Sequence, residues 1–97
     1  MKVYAIRDKR TNAYKNHIML FPHVAECTRA MEGVVNNPET DLAKWPLDYQ
    51  LDQLGEFDEK LGTFSHDQKE ICQIIDLKRP ENRPIIDPVE TLRSVQQ

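Results

Sequence analysis

The chain has few of the residues that build specialised sites. Its two cysteines are too few for a disulfide scaffold, and with its three histidines they never approach zinc-ligand spacing. Its three glycines form no phosphate-binding loop. No apolar run approaches the roughly 20 residues that span a bilayer, and the start of the chain does not resemble a signal peptide. The sequence therefore predicts a soluble intracellular protein without metal, cofactor or membrane segment.

Catalytic constellations are also missing. His66 and Asp67 could form half of an acid–base pair, but no nucleophile accompanies them, and a simple turn explains them better. Cys27 falls on the apolar stripe of a predicted helix, where it is typical of core packing. We therefore expect that the protein is not an enzyme.

Length and composition predict one domain followed by a tail. The 97 residues are enough for a single modest core, which we place in residues 1–77. Three prolines in the polar stretch 78–97 indicate an extended tail. Asp87 and Pro88 are typical of a helix start, so residues 87–97 predict a short terminal helix that could dock on a viral or host protein.

Apolar patterning predicts the elements of the domain. Residues 2–7 and 14–21 read as a β-hairpin, and the four successive apolar residues 18–21 suggest that its second strand is covered on both faces. Residues 23–36 read as an amphipathic helix with the stripe Val24, Cys27, Met31 and Val34. Gly33 within that helix suggests a close approach of another backbone.

The residue pattern in the second half of the domain predicts further strands. A connector over 39–47 should be anchored by Trp45 and Leu47, and a strand from Tyr49 should contain a bulge near residues 53–55. A turn closing at Gly62 leads to a short strand 63–65, another turn, and a last strand 71–75. The predicted fold class is α+β: an antiparallel sheet of four to five strands, one amphipathic helix packed on it, and an extended C-terminal tail.

Charge is unevenly distributed. Residues 1–23 carry five cations against one carboxylate (+4), whereas residues 39–76 carry three against ten (−7). Single-stranded nucleic acid is bound by cations along its phosphates and by rings that stack on its bases. The candidate nucleic-acid-binding residues of the first hairpin are Lys2, Tyr4, Arg7, Lys9, Arg10, Tyr14, Lys15 and His17. The alternative is a solvated hairpin tip with two ordinary strand tyrosines.

Several short segments also carry a resemblance to a known family. They are Arg7-Asp8, Phe21-Pro22, Val35-Asn36-Asn37-Pro38, Trp45-Pro46-Leu47-Asp48-Tyr49, and Leu54-Gly55-Glu56-Phe57-Asp58 leading to Gly62. In this order the chain resembles, over most of residues 1–77, the small non-structural protein of gokushoviruses, which are single-stranded DNA phages of the microvirus group. The resemblance implies a product of the infected cell that serves genome synthesis or packaging, and it transfers no site residues.

Two hypotheses follow. In the first, a non-enzymatic phage protein in the host cell cytoplasm binds single-stranded DNA during genome replication or packaging. In the second, an interaction or assembly factor acts through the acidic residues 39–76, which we call the acidic body, and through the C-terminal tail, without nucleic-acid contact. Short length and exposed strand edges favour a homodimer or higher homo-oligomer under either hypothesis.

Overall fold

The structure is a computed structural model that describes residues 1–82. The predicted terminal helix and most of the predicted tail lie outside the described residues. The strands are β1 (Lys2–Asp8), β2 (Ala13–Phe21), β3 (Tyr49–Asp58) and β4 (Thr63–Gln73). The helices are α1 (Val24–Val35) and the single turn α2 (Asp41–Lys44), with 3-10 turns at Pro46–Asp48, Ile74–Leu77 and Pro80–Asn82.

The four strands form one antiparallel sheet in the order β2-β1-β3-β4. Two hairpins, β1–β2 and β3–β4, meet through the pairing of β1 with β3, so these two strands are central. Helix α1 connects the hairpins and packs on one face of the sheet, which we call the covered face. The predicted α+β class, with a helix on an antiparallel sheet, is confirmed.

Strand β4 is longer than the sequence predicts, and its pairing with β3 contains shifts of register. The predicted bulge near residues 53–55 is confirmed by a register shift between Gln53 and Gly55 in the β3–β4 pairing, and a second shift follows Leu51. The prediction of a turn at 66–69 between two short strands is wrong, because β4 is continuous from Thr63 to Gln73. The two bulges accommodate the unpaired residues, so the polar residues 65–66 and 69–70 of β4 remain paired with β3 instead of forming a turn.

The core lies between α1 and the covered face. Tyr4 and Ile6 of β1 and Leu51 of β3 meet Cys27, Met31 and Val35 of α1, joined by Leu42, Tyr49 and Ile74. The inward stripe of α1 differs slightly from the predicted one, because Val24 and Val34 are exposed and Val35 is buried. No atom outside the helix's own backbone lies within 4 Å of the position of a Cβ on Gly33, so the predicted close approach there is wrong.

The connector is attached differently from the prediction. Trp45 and Leu47 are exposed, whereas Leu42, Ala43 and Pro46 are buried. Thr40 caps α2 by accepting a hydrogen bond from the Ala43 amide at 3.1 Å, which turns the apolar side of this short helix inward. The turn of the second hairpin closes at Gly62 as predicted, and Gly62 has a φ of +72°.

The opposite face of the sheet has no helix on it among the described residues, and we call it the open face. Val3 pairs with Leu20 and with Gly55, and Ala5 pairs with Ile18, which places these residues on that face. Ile18 and Leu20 are 61% and 44% exposed. The prediction that β2 is covered on both faces is therefore wrong: β2 is an edge strand covered on one face.

Candidate nucleic-acid interface

Five of the eight candidate residues gather at one end of the sheet, around the turn between β1 and β2. We call this group the basic turn, and its members are Arg7, Lys9, Arg10, Tyr14 and Lys15. Asp8 shapes the turn by accepting a hydrogen bond from the Arg10 amide at 2.9 Å, and Asn12 has a φ of +60°, which asparagine tolerates. The side chain of Arg7 donates a hydrogen bond to Asn12 Oδ1 across this turn.

Arg7 and Tyr14 form the aromatic part of the basic turn. The guanidinium of Arg7 lies 5.7 Å from the centre of the Tyr14 ring, within the range of a cation–π contact. The Tyr14 hydroxyl donates to Asp52 Oδ2 at 2.6 Å and accepts from Gln68 Nε2 at 2.7 Å. Gln50 donates a further hydrogen bond to the buried carboxylate of Asp52 at 2.8 Å. These hydrogen bonds join β2, β3 and β4 and hold the Tyr14 ring in place.

Carboxylates surround several cations of the basic turn. Arg10 lies 3.7 Å from Asp8 and 3.4 Å from Asp48, measured between nitrogen and oxygen. Lys15 lies 4.0 Å from Asp41 and, on the covered side, 5.1 Å from the centre of the Tyr49 ring. Arg7 and Lys9 pair instead with the neutral side chains of Asn12 and Gln73. Four cations thus face three carboxylates in these contacts, and the Asp52 carboxylate bound to Tyr14 brings the local charge close to zero.

The other three candidates lie elsewhere. Lys2, at the opposite end of β1, contacts Glu56 at 3.3 Å. His17 is exposed in the middle of β2. Tyr4 is fully buried on the covered face, with its ring centre 6.4 Å from that of Phe21. The expectation that Tyr4 stacks on bases is therefore corrected: its ring is part of the core because the alternation of β1 directs it toward α1.

The two cysteines of the described region have thiols with raised pKa values. Burial, with a smaller contribution from the neighbouring Cys72, raises the pKa of the Cys27 thiol to about 11. Burial also raises the pKa of Cys72, to which Asp76 and Glu70 contribute. A thiol attacks as its thiolate, so both cysteines are poor nucleophiles at neutral pH. Within residues 1–82, no group of three or more potential ligands could hold a metal ion, and no helix is long and apolar enough to cross a membrane.

The open face holds a surface that the sequence did not identify. A depression of about 280 Å³ is lined by Val3, Ile18, Leu20, Phe57 and Phe64, and we call these five residues the apolar patch. Phe64 lies against Gly55: a Cβ at that glycine would come within 2.7 Å of its ring. The apolar run at residues 18–21 is the signal that could have revealed this patch, had β2 been recognised as an edge strand.

Together these features define a class: a small α+β protein with a helix on one face of its sheet, an apolar patch on the other, and a basic turn at one end. The sequence profile of the family described as "Phage ORF5 protein" matches residues 1–77, and the chain belongs to this family of phage proteins. No curated protein and no solved structure matches the chain. The narrower assignment to gokushoviruses stays a prediction.

Proposed function

We propose that this phage protein binds single-stranded DNA, without catalysing a reaction, during replication or packaging of the genome of a gokushovirus-like phage in the host cytoplasm. Membership in a phage family supports a role in infection. The observation that carries the proposal is the Arg7–Tyr14 pair beside Lys9, because it joins a stacking surface to cations whose partners are neutral. The revised interface is the basic turn, without Lys2, Tyr4 and His17.

The ion pairs of the basic turn are compatible with this role. The Lys15–Asp41 pair is exposed, with side chains that are 40% and 60% exposed, and exposed ion pairs of this kind contribute about 0–1 kcal/mol. Phosphate oxygens could therefore replace Asp41 at little cost, and release of the counterions of the DNA would favour binding. Arg10 is 60% exposed, but its partners Asp8 and Asp48 are only 17% and 27% exposed, so Arg10 would bind a phosphate while keeping these carboxylates.

Binding to a fluorescent single-stranded oligonucleotide, followed by anisotropy over a series of salt concentrations, tests the proposal. With about four phosphates neutralised, log K should fall against log salt with a slope of roughly −3. Replacing Arg7, Lys9, Arg10 and Lys15 together by glutamine should weaken binding at low salt at least about tenfold and flatten that slope.

A matched control separates local contacts from net charge. Replacing Arg29, Lys44, Lys60 and Lys69 by glutamine removes the same number of charges from exposed positions outside the basic turn. If both quadruple variants bind equally well, the basic turn is not the interface. If the unaltered protein does not bind at all at low salt, single-stranded DNA is not its ligand.

The pairing of cations with carboxylates also favours a second candidate function. Asp41 and Asp48 belong to the acidic segment 39–76, and within the chain they already neutralise Lys15 and Arg10. An assembly or interaction factor that acts through this acidic body and the C-terminal tail would need no nucleic acid. An unaltered protein that ignores DNA at low salt, and whose oligomer dissociates when residues 78–97 are removed, would favour this second function.

A further inference from the structure

We propose that the apolar patch is the interface through which two copies of this chain associate face to face. This inference does not depend on DNA binding. It rests on the open face, where the side chains of Ile18, Leu20 and Phe64 remain partly exposed although they adjoin the buried Val3. Exposed apolar residues scattered singly are ordinary, but a contiguous group around a depression marks an interaction site.

The shape of the patch suits a symmetric partner. Its five residues surround a depression of about 280 Å³, and one of them, Phe64, lies over Gly55 with 52% of its surface exposed. In a twofold dimer the same surface is used by both copies, so the exposed apolar side chains of one copy meet those of the other. A second copy therefore covers the depression and the exposed side chains around it in a single contact.

The area of the patch is sufficient for the centre of a dimer interface. An aromatic side chain can bury about 150–250 Å². Since Phe64 is 52% exposed, it alone leaves about 100 Å² of apolar surface uncovered. With Ile18 and Leu20 each copy contributes on the order of 300 Å², which is at the lower end for a functional patch. Two copies would bury on the order of 600 Å², about half of a small specific interface, and the polar rim would supply the remainder.

Charge and the course of the described chain are compatible with a second copy as the occupant. The chain has a net charge of −3, but no member of the patch is charged, so two copies meet without like charges at the centre. The described chain leads away from the patch: the Arg79 amide donates a hydrogen bond to Asn36 Oδ1 at 2.9 Å, just beyond the C-terminal end of α1. Asn36 lies at the end of the sheet opposite Val3 and Leu20, and beside the covered face.

Sedimentation velocity of the full-length chain, without DNA and over a wide range of concentrations, tests the inference. The unaltered protein should form a dimer in a concentration-dependent manner. Ile18→Lys places a charge in the interface twice and should raise the dimer dissociation constant at least about a hundredfold. Leu47→Lys is the matched control, because Leu47 is half exposed in the connector, and it should change that constant less than about threefold.

A second pair of variants excludes a folding artefact. Phe64→Ser should weaken the dimer, whereas Leu61→Ser, in the turn after β3, should not. Far-ultraviolet circular dichroism confirms that each variant is folded. A protein that stays monomeric at all concentrations overturns the inference, as does an equal effect of Ile18→Lys and Leu47→Lys. If Leu92→Lys in the tail dissociates the dimer as strongly as Ile18→Lys does, the tail occupies the patch and the inference fails.

Discussion

The two faces of the sheet differ although the same four strands build both. On the covered face, Tyr4, Ile6 and Leu51 are buried against α1 and form a continuous core. On the open face, the half near Val3 is apolar and partly exposed, and the half near Arg7 is polar and tied together by hydrogen bonds. Among the described residues, one face thus has its partner within the chain, whereas the other leaves apolar side chains partly exposed.

This difference separates stability from recognition. Because burial of apolar surface is the main favourable term in folding, the covered face should determine the free energy of unfolding. The open face gains little from its exposed apolar residues in the isolated chain. Substitutions there should change association or ligand binding more than stability, and paired substitutions of one residue type on the two faces can test this separation.

The largest contrast should come from the two leucines that lie on opposite faces. Leu51 is fully buried, so Leu51→Ala should lower the free energy of unfolding by about 2–5 kcal/mol. Leu20 is on the open face and partly exposed, so Leu20→Ala should cost less than about 1 kcal/mol. Urea denaturation at a concentration where the chain is monomeric measures both. Equal costs would mean that the open face is part of the core.

The sequence predicts the covered face better than the open one. The spacing of Cys27 and Met31 fixes the helix and its inward side, and Gly62 fixes a turn, because both signals are local. Which tyrosine is buried is not a local property. Tyr4 and Tyr14 both stand in alternating strands, and only the position of α1 over β1 decides that Tyr4 enters the core while Tyr14 reaches Asp52.

The candidate site shows the same limit. The sequence places Arg7, Lys9 and Arg10 near one turn because they are neighbours in the chain. Their partners Asp48 and Gln73 come from distant segments, and they reach the turn only through the pairing of β1 with β3 and of β3 with β4. Net charge counted along the chain therefore overstates the positive charge that the folded surface presents.

A second contrast concerns the glycines. A Cβ at Gly55 would lie 2.1 Å from the carbonyl oxygen of Ser65 and 2.7 Å from the Phe64 ring, so β4 must shift to accept it. We expect Gly55→Ala to lower the free energy of unfolding by about 1–3 kcal/mol and to disturb the patch around Phe64. Gly33 in α1 has open space, so Gly33→Ala should raise stability by about 0.5–1 kcal/mol.

Thermal unfolding followed by circular dichroism gives the sign of both glycine effects. A stable Gly55→Ala variant would show that β4 can move away from β3 without loss. The dimer dissociation constant of that variant sharpens the comparison further, because a displaced Phe64 should weaken association even where the fold survives.

The smallest contrast places one substitution on each face. Tyr14→Phe removes the hydroxyl that donates to Asp52 at 2.6 Å and accepts from Gln68. Of the two side chains that donate to the buried Asp52 carboxylate, Tyr14 and Gln50, only Gln50 then remains. We expect a cost of about 1–2 kcal/mol. The Tyr4 hydroxyl is buried without a hydrogen-bond partner among the described residues, and burial with the nearby Cys27 raises its pKa.

Tyr4→Phe should therefore be neutral or stabilising by up to about 1 kcal/mol, since it removes a buried polar group that is already unsatisfied. Urea denaturation of the two variants under the same conditions compares them, and opposite signs are expected for one chemical change. A destabilising Tyr4→Phe would mean that its hydroxyl has a partner, such as an ordered water, inside the core. An unchanged Tyr14→Phe would mean that Asp52 is held by Gln50 alone, and the Arg7–Tyr14 pair would then lose its fixed geometry as the basis of the proposed DNA interface.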